Sequence, residues 1–228
     1  MWTLDTLSSC RYEGRIDRDR YDRNRILLDW IGSDKRVLEL GCSTGFFSRH
    51  LKEANCQIVG VELDTGAANL AERFCERVIA ADLDGTAWLA GLSQSSFDVV
   101  LIGDVLEHLA DPRAVLRRVR PLLSDRGRLI VSLPNVVHWQ TRLEVLCGRF
   151  DYREWGTLDA THLRFFTWKS ASDLFHQAGY RVCRVHHAIG GRMSSRFRPL
   201  WQVFADIFPG MFAYQMLFEA ELSTKDLL

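Results

Sequence analysis

The sequence predicts an α/β fold, one mostly parallel sheet with helices on both faces, and three observations carry that expectation. From Arg36 onward short apolar runs alternate with segments whose apolar residues recur at three- and four-residue steps, the pattern of successive βαβ units. The first run leads through Gly41-Cys42-Ser43-Thr44-Gly45, a turn of small residues, straight into a helical pattern. The second and third runs end in acids, Glu62 in "VGVELD" and Asp82 in "AADLDG".

Strands are expected at residues 36–40, 57–62, 77–81, 97–103, 128–133, 181–187 and 213–222. Helices are expected at 46–54, 67–74, 112–122 and 168–178, the last stopped by Gly179 and capped by Thr167 with Ser170. Upstream, residues 21–30 read as a helix with Ile26, Leu27 and Trp30 on one face. Residues 1–35 thus form an N-terminal arm and helix, and residues 36–228 the main domain. The arginine-rich "RYEGRIDRDRYDRNR" reads as a solvated mixed-charge arm in preference to a lid over substrate. A long insertion, 135–167, rich in Trp, His, Arg and Phe, follows the fifth strand, and excursions of that length tend to be functional. In the stretch 190–210, Arg192, Arg196 and Arg198 mix with Phe197, Trp201, Phe204 and Phe208. Core packing with snorkelling arginines is favoured there over an amphipathic surface that touches a membrane.

Lys and Arg total 29 and so do Asp and Glu, so no global positive field argues for nucleic acid as a partner. Six cysteines without a C-x-x-C pair read as reduced thiols in a cytoplasmic protein. The N-terminus lacks the apolar stretch of a signal peptide, and no apolar run is long enough to span a bilayer. His186 and His187 sit on a strand, where side chains alternate, and cannot face one metal; no metal site is expected.

A glycine-bearing turn at a helix N-terminus lets a ligand approach the main chain, and ligands of open α/β sheets bind outside the carboxyl ends of the strands. The turn, Glu62 and Asp82 line up along that edge, so one nucleoside would span all three. A dinucleotide-binding Rossmann domain shares the first two features, but its G-x-G-x-x-G fingerprint is absent from G-C-S-T-G. An adenosine with a short zwitterionic tail fits better.

On these residues the chain resembles the class I S-adenosylmethionine-dependent methyltransferases. "LELGCSTG" is similar to their first motif, with Glu39, Gly41 and Gly45 matching, Ser43 replacing the middle glycine and Cys42 between. The resemblance implies that Glu62, with Leu63 beside it, holds the ribose hydroxyls, and that Asp82 and Leu83 hold the adenine. "FDVVLIGDVLEHLADP" resembles the fourth motif, whose Gly103, Asp104 and Val105 would border the methionine part and the methyl group. It also implies a Rossmann-like sheet of seven strands, the last, "FAYQMLFEAEL", antiparallel between the fifth and sixth.

The segment "DATHLRFFT" resembles a D-x-T-H-L-R-F-F-T subgroup linked to glycan and small-molecule biosynthesis. It supplies His162 as candidate general base with Asp159 to orient it, while a structural role for His162 in fixing the loop stays equally open. Substrate contacts are sought at His108, Asn135, His138 and Arg164, although capping or packing is favoured for His108. The expected activity is O-methylation of a small molecule or sugar precursor, with Arg142, Arg149, Arg153 and Arg164 able to hold an acidic acceptor. Two other readings stand beside it: methylation of a quinone or polyketide-like phenol, and a non-catalytic S-adenosylmethionine-binding scaffold. Peripheral membrane contact is allowed for.

Overall fold

The computed structural model describes residues 22–190 and 196–223, so the arm at 1–21, Arg192 and the last five residues lie outside the described residues. A seven-stranded sheet runs in the order β3-β2-β1-β4-β5-β7-β6. Its strands are β1 (Arg36–Leu40), β2 (Gln57–Glu62), β3 (Arg77–Ala80), β4 (Phe97–Gly103), β5 (Leu123–Pro134), β6 (Tyr180–Ala188) and β7 (Gln215–Leu222). The helices are α1 (Arg23–Ile31), α2 (Phe46–Glu53), α3 (Thr65–Ala71), α4 (Pro112–Val119), α5 (Trp139–Leu146), α6 (Trp168–Gln177), α7 (Arg198–Ile207) and α8 (Pro209–Phe212). Only β7 runs antiparallel to its neighbours, wedged between β5 and β6.

Central strands bury both faces, which is why they read as continuous apolar runs. Leu38, Leu40, Val100, Ile102, Leu129 and Val131 pack with Val115, Leu116, Ala171 and Phe175 of α4 and α6. Their neighbours Val37, Val99, Leu101, Ile130 and Leu217 point the other way, toward Leu27, Ile31 and Leu51 of α1 and α2. Phe218, fully buried, sits with its ring centroid 5.1 Å from that of Phe175. Phe218→Ala is expected to destabilise the fold by about 3–5 kcal/mol in urea unfolding, because transfer and cavity terms add.

Helix starts follow their caps. Asp64 accepts from the Ala67 amide at 2.7 Å, so α3 begins at Thr65 rather than Ala67 and ends earlier than its apolar spacing suggested. Asp111 caps α4 with Pro112 in the first turn, and the Thr167–Ser170 capping box opens α6 as expected. β5 starts five residues earlier than expected, paired to β4 through an irregular register. The stretches 135–167 and 190–210, expected to be irregular, hold α5, α7 and α8.

Candidate active site

The carboxyl ends of β1, β2 and β4 converge on the small-residue turn. Gly41 has φ +74°, and a Cβ there would lie 2.4 Å from Cγ2 of Val105. Gly45, at φ +85°, leaves the same kind of gap against the Phe74 ring, 2.7 Å away. Both glycines are therefore required by space as well as by dihedral angle. Ser43 takes φ +49°, an uncommon state for a residue with a Cβ, and its amide donates to Glu62 Oε2 at 2.8 Å. Cys42 is buried beneath the turn, its sulfur against Gly60.

The other Glu62 oxygen accepts from the Asp64 amide at 3.0 Å, which aims the carboxylate across the turn with acceptor capacity left for two hydroxyls. Asp82 is exposed at the tip of β3, with one oxygen on the Asp84 amide. Leu83 is buried below it, while Leu63 stands 69% exposed beside Glu62. An apolar side chain left bare beside an acid at the sheet edge suits a flat, partly apolar ring, so these residues fit an adenosine.

Deeper in, Glu39 is buried, and burial pushes its carboxyl up to about 8 although the Ser48 hydroxyl donates to it. Asp104 adopts φ +55° and is pinned from three directions. Ser132 Oγ and Gln215 Nε2 each donate to its Oδ1 at 2.6 Å, and Arg23 of α1 forms an ion pair with Oδ2. Burial alone would raise this carboxyl, but the Arg23 charge and the two donors hold it below the usual range. α1 is thereby bolted to the end of β4, with Gly103 and Val105 on either side of the joint.

The insertion returns to the same place. The amides of Leu163 and Arg164 both donate to the Glu107 carbonyl, at 2.8 and 2.9 Å. The His162 ring packs edge-on against His108, with centroids 4.8 Å apart. Its Nδ1 lies 3.2 Å from the Thr157 carbonyl, which can only accept, so Nδ1 carries the proton and Nε2 the lone pair. Burial, then the His108 charge, lowers its pKa. Glu107 is buried with Oε2 unpartnered, and burial, then the Asp104 charge, raises its carboxyl well above the usual range. Donor atoms of Glu107, His108 and His162 all lie within 4.8 Å of one another. Such a set can share a proton, and a carboxylate with two imidazoles is equally a donor set for a divalent ion, which sequence reasoning did not find.

Asp159 lies near enough to His162 for its charge to favour the imidazolium, and it also fixes the loop. Its Oδ1 accepts from the Thr161 amide and hydroxyl, at 2.8 and 2.6 Å, and Thr161 in turn lies 3.1 Å from His108 Nδ1. His162 is thus steadied by Thr157, and Asp159 shapes the loop around it. Asn135 is fully buried, its amide donating to the carbonyls of Pro209, Gly210 and Ala213, where it ties α8 to β5. His138 packs on Tyr214 and Trp139, and burial pushes its pKa down to about 4. The arginines do not converge. Arg164 holds the Ala110 carbonyl, Arg142 that of Val137, Arg153 pairs with Glu144 and Arg149 with Asp151.

The profile of a methyltransferase-domain family matches residues 13–185. The chain therefore belongs to that family, the S-adenosylmethionine-dependent methyltransferases, with S-adenosylmethionine as cofactor. Among characterised relatives, a ubiquinone biosynthesis O-methyltransferase of Ralstonia nicotianae is 32% identical over 120 residues, covering 49% of this chain and 50% of the relative. The chain spans about half the length of the curated relatives it matches. The fold is shared with an S-adenosylmethionine-dependent methyltransferase of Archaeoglobus fulgidus, at TM-score 0.63 and 18% identity over 88% of this chain and 91% of that one. One from Mesorhizobium loti has TM-score 0.60 and 17% identity, covering 86% and 94%. Among the described residues no helix is long and apolar enough to cross a membrane.

Proposed function

We propose that the protein methylates a hydroxyl oxygen of a small acceptor, a phenol of the quinone type before a sugar, with His162 as general base. The observation that carries this reading is the His162 imidazole, its proton fixed on Nδ1 by Thr157 and its pKa lowered, at the loop that clasps Glu107. Bound S-adenosylmethionine supplies a methyl on a positively charged sulfur that departs as a neutral thioether. Glu62 would hold the ribose hydroxyls, and Asp82 with Leu63 and Leu83 the adenine. Glu39, Gly41, Ser43 and Gly45 would cradle the amino-acid part, with Asp104 and Val105 at the methyl.

The chain's own contribution is alignment and one proton transfer. His162 Nε2 would take the acceptor O–H proton during methylation, so no free phenolate has to form first. Holding both partners in line contributes more than the base does. A phenol is favoured because the insertion brings Phe165 beside His162, with Phe150 stacked behind Phe165, while its arginines are engaged elsewhere. The O-methyltransferase names of the relatives point the same way. In this reading the 135–167 insertion builds the acceptor side and α1, through Arg23, closes the cofactor side.

Calorimetric titration with S-adenosylmethionine tests the cofactor residues. Micromolar binding is expected, weakened about 10- to 100-fold in Glu62→Ala, which removes charge-assisted hydrogen bonds, and measurably in Asp82→Ala. Unchanged affinity in both variants would refute the assignment. Labelled methyl donor with parallel panels of phenols and sugars then selects the acceptor class. Activity that a chelator abolishes and a divalent ion restores would move Glu107, His108 and His162 from proton transfer to metal binding.

A further inference from the structure

Two helices beside the site are built inside out. In α7 the side chains turned to the interior are Gln202 and Ala205, whereas Leu200, Val203, Phe204 and Ile207, spaced as one helical stripe, face solvent. α8 continues the stripe with Phe208 just before it and Met211 within it, all exposed. In α5 the buried residue is Thr141, and Leu143, Val145 and Leu146 point outward, Leu146 being 83% exposed. Core packing, the reading the sequence favoured for 190–210, does not describe these side chains. Arg142 of α5 reaches to within 3.9 Å of where a Cβ on Gly210 of α8 would stand, so α5 and α8 lie close to one another.

Basic side chains outnumber acidic ones around this face. Arg142 and Arg196 are exposed at its border, and Arg198 opens α7. Of the two acids on these helices, Glu144 is paired with Arg153, and Asp206 stays exposed while accepting from Gln202 with His187 3.8 Å away. We propose that α5 and α7–α8 form a docking face for a bilayer carrying anionic lipid. An apolar stripe rimmed by arginines is what an interfacial helix presents to acyl chains and phosphate headgroups. A second copy of the chain suits it less, because a two-fold pairing would bring like arginines to one seam. The position adds to the case. Asn135 ties α8 to the end of β5 and gives its backbone amide to the Tyr214 carbonyl, and Tyr214 is followed directly by Gln215, the donor to Asp104, so the face lies at the rim of the active site.

The test is co-sedimentation of the full chain with vesicles of phosphatidylcholine alone and of phosphatidylcholine with about 30% phosphatidylglycerol. Binding is expected on the anionic vesicles, at least about fivefold stronger than on neutral ones and weakened in ~0.5 M salt. The exposed double variant Leu200→Glu/Ile207→Glu is expected to lose about tenfold or more in vesicle affinity with melting temperature and S-adenosylmethionine binding unchanged. Arg196→Glu is expected to lose severalfold without touching the apolar stripe. Failure to pellet with either vesicle, or pelleting indifferent to both variants, overturns the proposal. So does a dimer in sedimentation equilibrium that the double variant dissolves, which would assign the face to a second copy.

Discussion

His162→Ala is expected to lower kcat by about 10²- to 10⁴-fold while affinity for S-adenosylmethionine changes by less than about twofold. The size follows from the proton that a hydroxyl acceptor must lose. Burial, then the Asp104 charge, raises the carboxyl of Glu107 well above the usual range, which favours its protonated form. The pH dependence has a definite sign. An imidazole works as a base only when unprotonated, and burial followed by the His108 charge lowers the pKa of His162. The rate should therefore hold steady as pH falls through the ordinary imidazole range, about 6.5, and decline only below it. In His162→Ala that acid limb should vanish, and added imidazole should restore part of the rate by entering the space left. A role confined to bracing the loop against Thr157 predicts otherwise: a lower melting temperature, a kcat within about fivefold of wild type and an acid limb still present. A pH–rate series on the two proteins, with thermal melts alongside, separates these outcomes.

The elements that could be drawn from the sequence are those whose signals are local. β1, β2 and β4 begin and end at the expected residues because their apolar runs are bounded by polar or glycine residues, and both faces are buried. α5 and α7 escaped because their pattern is reversed: outward-facing Leu200, Val203, Phe204 and Ile207 have the spacing of a core stripe, and only the packing shows which side is inside. The cofactor residues were legible as a motif, including Ser43, whose left-handed backbone and bond to Glu62 show how a serine serves in place of glycine. The clamp on Asp104 was not. Its partners Arg23, Ser132 and Gln215 lie 81, 28 and 111 residues away, and no spacing rule connects them. Asp159 and His162 were read as a pair from their closeness in sequence; the Asp159 charge does reach His162, and what the sequence did not show is that one carboxylate oxygen is taken up by Thr161.

Gly41→Ala is expected to weaken S-adenosylmethionine binding by about 30-fold or more, from two costs that can be measured apart. Alanine at φ +74° occupies the left-handed region, which costs roughly 1–2 kcal/mol. Its Cβ would also stand 2.4 Å from Val105 Cγ2, and a β-branched side chain with few rotamers cannot swing aside freely. Either the turn or the end of β4 must shift, and both border the cofactor residues. Gly148 isolates the first cost, since it shares φ +74° and a Cβ placed there would meet nothing within 4 Å. Gly148→Ala should lose only that ~1–2 kcal/mol of stability and keep its affinity for S-adenosylmethionine. A double-mutant cycle of Gly41→Ala with Val105→Ala isolates the second, and a coupling of about 1 kcal/mol or more in favour of the double variant is expected once the clash is relieved. If Gly41→Ala binds within about threefold of wild type, the close approach of the turn to its ligand is not what keeps glycine at this position, and Gly41 answers to the backbone of the β1–α2 corner alone.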